Sequence, residues 1–274
     1  KFSTNCIFKG NTITRASKTA NGDNSVAKFI NTNSADDPIL FSDNIIDNCL
    51  GGNGALVNFP NIEYHLQIIN TTFKNMANHK SGNAGYYIIV GHKSSITKPL
   101  FSFIRCTFYY LESNAQYGSA LGLWYKGGQN SNNMALIINE CIFENVYYGY
   151  SGDAGGACGY NYATSIKNSH MTVTDCTFKN CSSIKGGSAI CFVVDSAQLI
   201  VERNTFINCR STNNACLGGA IYINYMQAVP AVVIKDCTFE STVSNNPAKG
   251  NAITAIQSAG SHKLTIENCQ FTNC

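Results

Sequence analysis

The chain reads as an all-β solenoid: a right-handed single-stranded parallel β-helix of about eight coils, each built of three short strands. Three observations predict this. A phrase centred on Phe recurs along the chain, apolar pairs with a period of two precede it, and a Gly-Ala turn follows it.

The phrase runs polar, small, any residue, Phe, any residue, then usually Asn. Copies centre on Phe73, Phe108, Phe143, Phe178, Phe206, Phe239 and Phe271. Asn5-Cys6-Ile7-Phe8 reads as the first copy, and Asp43-Asn44-Ile45-Ile46-Asp47-Asn48 as a degenerate one with Ile in place of Phe. Successive copies lie 27 to 38 residues apart.

Five and seven residues before the Phe stand apolar pairs: Leu66/Ile68, Phe101/Phe103, Leu136/Ile138, Met171/Val173, Leu199/Val201, Val232/Ile234 and Leu264/Ile266. Such alternation is a strand with one buried face. The position three before the Phe is always polar, and the one before it tends outward as well. Two adjacent outward positions break the alternation and mark a corner. The small residue and the Phe then resume it as a second strand.

A loop of variable length ends in a small-residue turn and a third strand. Gly155-Gly156-Ala157-Cys158, Gly187-Ser188-Ala189-Ile190, Gly218-Gly219-Ala220-Ile221 and Gly250-Asn251-Ala252-Ile253 are examples. A helix is excluded, because the apolar period is two and turn residues interrupt every few positions. Strand, corner, strand, corner, strand in a fixed order is a coil climbing an axis. Parallel crossovers are overwhelmingly right-handed. With strands ~4.8 Å apart, eight coils make a rod on the order of 40 Å long.

Composition agrees. Apolar residues make up 44% and charged residues 13%, which suits a packed interior. A net charge of +3 without any Lys/Arg run argues against a nucleic-acid partner. The longest apolar stretches are strand-sized, so this chain holds no membrane-spanning segment. Both ends fall inside repeats, so residues 1–274 read as a single solenoid excerpted from a longer array.

The Phe-Asn phrase paired with Gly-Gly-Ala-Ile resembles the repeat of polymorphic outer-membrane-protein surface adhesins and related β-helix surface proteins. Asn180 with Gly187-Ser188-Ala189-Ile190 and Asn208 with Gly218-Gly219-Ala220-Ile221 match most closely. In that family the Asn usually stands three residues after the Phe. Here it stands two after, and Cys often takes the third place. The resemblance implies an extracellular or cell-surface location and an adhesive or scaffolding role.

Ten of the thirteen cysteines and many of the 34 asparagines fall in fixed repeat positions. Cys6, Cys106, Cys141, Cys176, Cys237 and Cys269 stand two before the Phe, while Cys49, Cys181, Cys209 and Cys274 stand three after the same position. They read as buried free thiols acting as small hydrophobes. The alternative is bridging between coils, with Cys181 and Cys209 the best-placed pair. Asn48, Asn75, Asn145, Asn180, Asn208 and Asn273 are expected to form an inward structural ladder at the second corner. Asn70-Thr71-Thr72 and Asn180-Cys181-Ser182 fit the glycosylation sequon. Asn70, in an outward slot, is the candidate acceptor, and Asn180 is expected to be buried and unmodified.

No catalytic residue can be named. Polysaccharide lyases and hydrolases on the pectate-lyase-like fold need clustered carboxylates. Asp36-Asp37 is the only adjacent acid pair, in a loop before Pro38, and the five histidines share no repeat position. No metal site or cofactor is expected. Aromatic residues crowd two adjacent coils, and Tyr125, Tyr162 and Tyr225 share a column beside Trp124. Trp124, Tyr125, Tyr162 and Tyr225 are therefore the candidate face for a glycan or a protein on another cell surface, against the alternative that they close the coil wall. The reading that results is a non-enzymatic surface scaffold or adhesin rod. A polysaccharide-acting lyase or glycoside hydrolase is one alternative. A filament or surface-layer component that self-associates through its coil ends is another.

Overall fold

The computed structural model describes residues 7–15, 27–28, 39–49, 57–62, 66–76, 88–92, 100–113, 119–124, 135–149, 155–161, 169–194, 197–225, 231–257 and 263–274. Among these residues every pairing is parallel, and the strands form three sheets that wrap around one axis. The strand Leu100–Ile104 lies in the first sheet, Thr107–Ser113 in the second and Leu121–Trp124 in the third. Each then pairs in register with its counterpart one coil on: Ala135–Asn139, Ile142–Tyr148 and Cys158–Asn161. The first sheet has nine strands and the third has eight. The second has nine on its main path, plus the short strands Ser182–Ser183, Arg210–Ser211 and Val243–Ser244 that extend it past the corner. The expected solenoid is the fold, with nine rungs where about eight coils were expected.

The core is a column of layers. Phe73, Phe108, Phe143, Phe178, Phe206, Phe239 and Phe271 stack with ring centroids 4.7–5.2 Å apart and planes within 3–7° of parallel. That rise is the strand spacing itself. Because ring faces touch at only ~3.5 Å, the rings must be offset, which is the arrangement their quadrupoles favour.

The first rungs correct the reading of Asn5-Cys6-Ile7-Phe8. Ile7–Lys9 belongs to the first sheet, with Phe8 opposite Phe41. The second-sheet strand of that rung is Thr12–Thr14, with Ile13 opposite Ile46. The repeat phrase there is Asn11-Thr12-Ile13, five residues later than expected. Where the second sheet supplies Ile13 or Ile46, the first supplies Phe8 or Phe41, five residues earlier in the chain. Phe41 stacks on both Phe8 and Phe73, which carries the ring column across the corner.

The third strand begins where backbones of successive coils come closest. A Cβ on Gly156 would overlap the carbonyl oxygen of Gly187, and one on Gly219 would overlap that of Asn251. Successive coils touch backbone to backbone here, and the buried Ala157, Ala189, Ala220 and Ala252 that follow fill what little space remains.

Candidate functional site

Both tight corners use one device. Asp43, Asn70, Arg105, Glu140, Asp175, Arg203, Asp236 and Asn268 turn the first corner with φ of 47–57°. Arg15, Asn48, Asn75, Tyr110, Asn145, Asn180, Asn208, Ser241 and Asn273 turn the second with φ of 50–57°. Among the described residues, these two columns contain every non-glycine residue with positive φ. A left-handed residue between two strands bends the chain, points its own side chain out, and turns the next side chain in.

The asparagine ladder therefore exists but faces solvent, which corrects its expected inward direction. Asn48, Asn75, Asn180, Asn208 and Asn273 are exposed, and Asn145 is half-buried. The amide of Asn180 donates to Asn145 at 3.1 Å, that of Asn208 to Asn180 at 3.3 Å, and that of Asn75 to the Asp47 carboxylate at 2.8 Å. Asn is frequent here because it tolerates left-handed backbone. Asn70 is exposed as expected, donating to Asp43 at 2.8 Å. Asn180 is equally exposed, so burial does not separate the two sequons.

The inward position after each first-corner residue does a different job. Asn204 accepts from the Cys176 N–H at 2.8 Å and donates to the Val173 carbonyl at 2.8 Å. Asn44 does the same for the Asn11 N–H at 2.9 Å and the Phe8 carbonyl at 3.0 Å. Cys141 accepts from the Cys106 N–H at 3.4 Å and donates to Phe103 at 3.4 Å, and Cys176 accepts from the Cys141 N–H at 3.4 Å. The slot needs a small side chain that both donates and accepts, because it must satisfy a buried N–H and a carbonyl of the preceding coil. The described cysteines are thus free and mostly buried, as expected, and Cys106, Cys141 and Cys176 also bond coil to coil. Burial pushes the Cys237 thiol up to about 11 and Cys191 to about 12, and raises Cys158 and Cys181 well above the ordinary thiol value. Such thiols are unreactive near neutral pH.

Of the expected aromatic face, the structure places one side chain, that of Tyr225. Trp124 ends a third-sheet strand opposite Asn161, and Tyr125 and Tyr162 lie outside the described residues. Tyr225 is buried at 3% exposure, its ring edge-on to Phe192 at 6.3 Å, so it closes the coil wall and offers no outward face.

Among the described residues, the exposed aromatics are on the second sheet. Tyr109 and Tyr110 are 38% and 62% exposed, with rings 6.1 Å apart and tilted by 43°. Tyr109 faces out between Lys74 and Glu144, and Tyr110 takes the corner position that Asn75 and Asn145 hold on either side. Down the same two columns, Thr14, Arg15, Asp47, Asn48 and Asn75 line an open groove of about 590 Å³. Asp47 is held there by Asn75 and by Lys74 at 3.5 Å. The sequence did contain a signal for this site: Tyr110 is the one aromatic in a column otherwise filled by Asn, Arg and Ser. Among the described residues, no cluster of His, Cys, Asp or Glu is arranged to hold a metal ion.

The geometry defines a class, and comparison with known families agrees. A family model described as a right handed beta helix region matches residues 63–274, and the chain belongs to that family. No curated protein and no solved structure matches it.

Proposed function

We propose that this chain is a non-enzymatic extracellular scaffold or adhesin rod, whose outer face along the second sheet and second corner makes the contacts. The observation that carries the reading is the division of labour at the corners. The strongly perturbed thiols are core groups pushed away from reactivity, whereas the outward columns repeat a neutral pattern of amides and paired charges from rung to rung. Lys179 with Glu144 at 3.0 Å and Arg203 with Asp175 at 2.8 Å are two such pairs. A repeating, self-neutralised exterior suits many weak contacts spread along a rod, whereas catalysis concentrates perturbed groups at one place. The resemblance of the Phe-Asn and Gly-Gly-Ala-Ile phrases to surface adhesins supports the same reading.

The test is retention of beads coated with the protein on intact cells and on polysaccharide films. The reading expects saturable retention with no release of reducing or unsaturated sugar ends. Release of such ends would establish a lyase or hydrolase instead.

A further inference from the structure

We infer that Tyr109 and Tyr110, with the groove beside them, form a binding subsite for a short stretch of neutral glycan; the inference deepens the adhesive-rod reading and rests on it. The starting point is an anomaly. At the second corner the left-handed backbone is carried mainly by Asn, the residue that tolerates it best. Tyr110 adopts the same conformation with φ of 57°, although a bulky side chain is poorly suited to it. Its ring gains little from the core in exchange, since it is 62% exposed. Arg15 shares that conformation, so what sets Tyr110 apart is a large ring left in solvent, which points to a role outside the fold.

The surroundings identify the ligand chemistry. Tyr109 interrupts an outward row that otherwise reads Asp47, Lys74, Glu144 and Lys179 around it, so an uncharged patch sits between two ion pairs. The two rings form a shallow V, too small and too tilted for a broad apolar partner surface. They suit the C–H face of a pyranose, with the phenol hydroxyls at the rim. From Tyr110 the same column continues through Asn75 and Asn48 to Arg15, and with Thr14 and Asp47 these line the open groove. Amides, a hydroxyl, a guanidinium and a carboxylate there offer both donors and acceptors, which is what a hydroxyl-rich chain requires. Asp47 is occupied by Lys74 and Asn75, so the groove presents no lone negative charge at that point. From Tyr110 to Arg15 is three rung steps, on the order of 14 Å. That length accommodates three to four sugar rings.

The experiment is calorimetric titration of the protein with neutral oligosaccharides of two to six residues: β-1,4-glucan, β-1,3-glucan and β-1,4-mannan. At least one series is expected to bind, with affinity rising to the tetrasaccharide and then levelling. Tyr110→Asn, which restores the residue of the neighbouring rungs, is expected to weaken binding at least tenfold while the melting temperature stays equal or rises. Tyr109→Ala should weaken it similarly. No binding by any neutral series, binding confined to acidic oligosaccharides, or unchanged affinity in Tyr110→Asn would each overturn the inference. So would a lower melting temperature in that variant, because the ring would then be serving the fold. Beads coated with Tyr110→Asn that still adhere to cells as well as wild type would refute the glycan subsite and leave the rod reading standing. Wild-type beads that fail to adhere would remove the reading beneath it.

Discussion

The two tight corners of each coil share a backbone and differ in what they demand of the inward side chain. At the first corner the inward positions are Asn44, Thr71, Cys106, Cys141, Cys176, Asn204, Cys237 and Cys269, each with a donor and an acceptor. At the second they are Cys49, Met76, Leu111, Val146, Cys181, Cys209, Thr242 and Cys274, so purely apolar side chains are admitted. The difference follows from the hydrogen bonds. At the first corner the N–H of one coil's inward residue points at the inward side chain of the next, as Cys106 does to Cys141 and Cys176 to Asn204. A buried donor left without a partner is costly, so that slot is chemically restricted. The outward positions at both corners accept Asp, Glu, Arg, Asn, Ser and Tyr. Inward positions therefore hold the fold, and outward positions are free to carry recognition.

The comparison can be strained at several points. The largest effect is expected at the third turn, where Gly219→Ala drives a methyl into the Asn251 backbone. It should cost more than about 4 kcal/mol or prevent folding, as read by chemical denaturation. Next, Cys141→Val at the first corner should cost about 1–3 kcal/mol by orphaning the Cys106 N–H. Cys181→Val at the second corner should cost under ~1 kcal/mol. Equal costs would erase the distinction between the corners.

Alkaline pH gives a further test. Burial raises Cys237 to about 11 and Cys191 to about 12 from an ordinary thiol value of 9.0. Above pH 9 the unfolded chain releases these protons while the native state keeps them, so stability, full below pH 9, falls as pH rises toward 11–12. The slope is about 1.4 kcal/mol per pH unit for each such thiol, and denaturation midpoints at pH 8 and pH 10 measure it. A flat profile would mean that these thiols are exposed or already bridged. The smallest effect belongs to the surface. Arg203→Gln removes the exposed pairing with Asp175 and should lower the melting temperature only slightly, with the difference gone in 1 M salt.

Much of this was legible in the sequence, and the failures share one cause. Strand alternation put Leu66/Ile68 and the Phe column inside, and the polar position three before the Phe placed the first corner. The same counting, carried through the second corner, turned Asn180 and its column inward. A left-handed residue breaks the count: it faces out, and Cys181 after it faces in. The first corner already displayed that pattern in Asp175-Cys176, and the second follows it in Asn180-Cys181. Asn5-Cys6-Ile7-Phe8 misled because a Phe can stand in either sheet: Phe41 and Phe103 lie in the first, Phe73 and Phe108 in the second. Tyr225 shares a column with other aromatics, but a column fixes register and not accessibility, and its ring lies against Phe192.

Asn204 and Asn208 offer the most direct test, being the same residue type four positions apart, one inward and one outward. The measurement is the unfolding free energy of Asn204→Ala and Asn208→Gly against wild type. Asn204→Ala strands the Cys176 N–H and the Val173 carbonyl and should cost about 2–5 kcal/mol. Asn208→Gly keeps the left-handed corner and loses only a solvent-facing ladder bond, so it should stay within about 0.5 kcal/mol. Equal costs, or a larger loss at Asn208, would contradict the account and restore an inward ladder at the second corner.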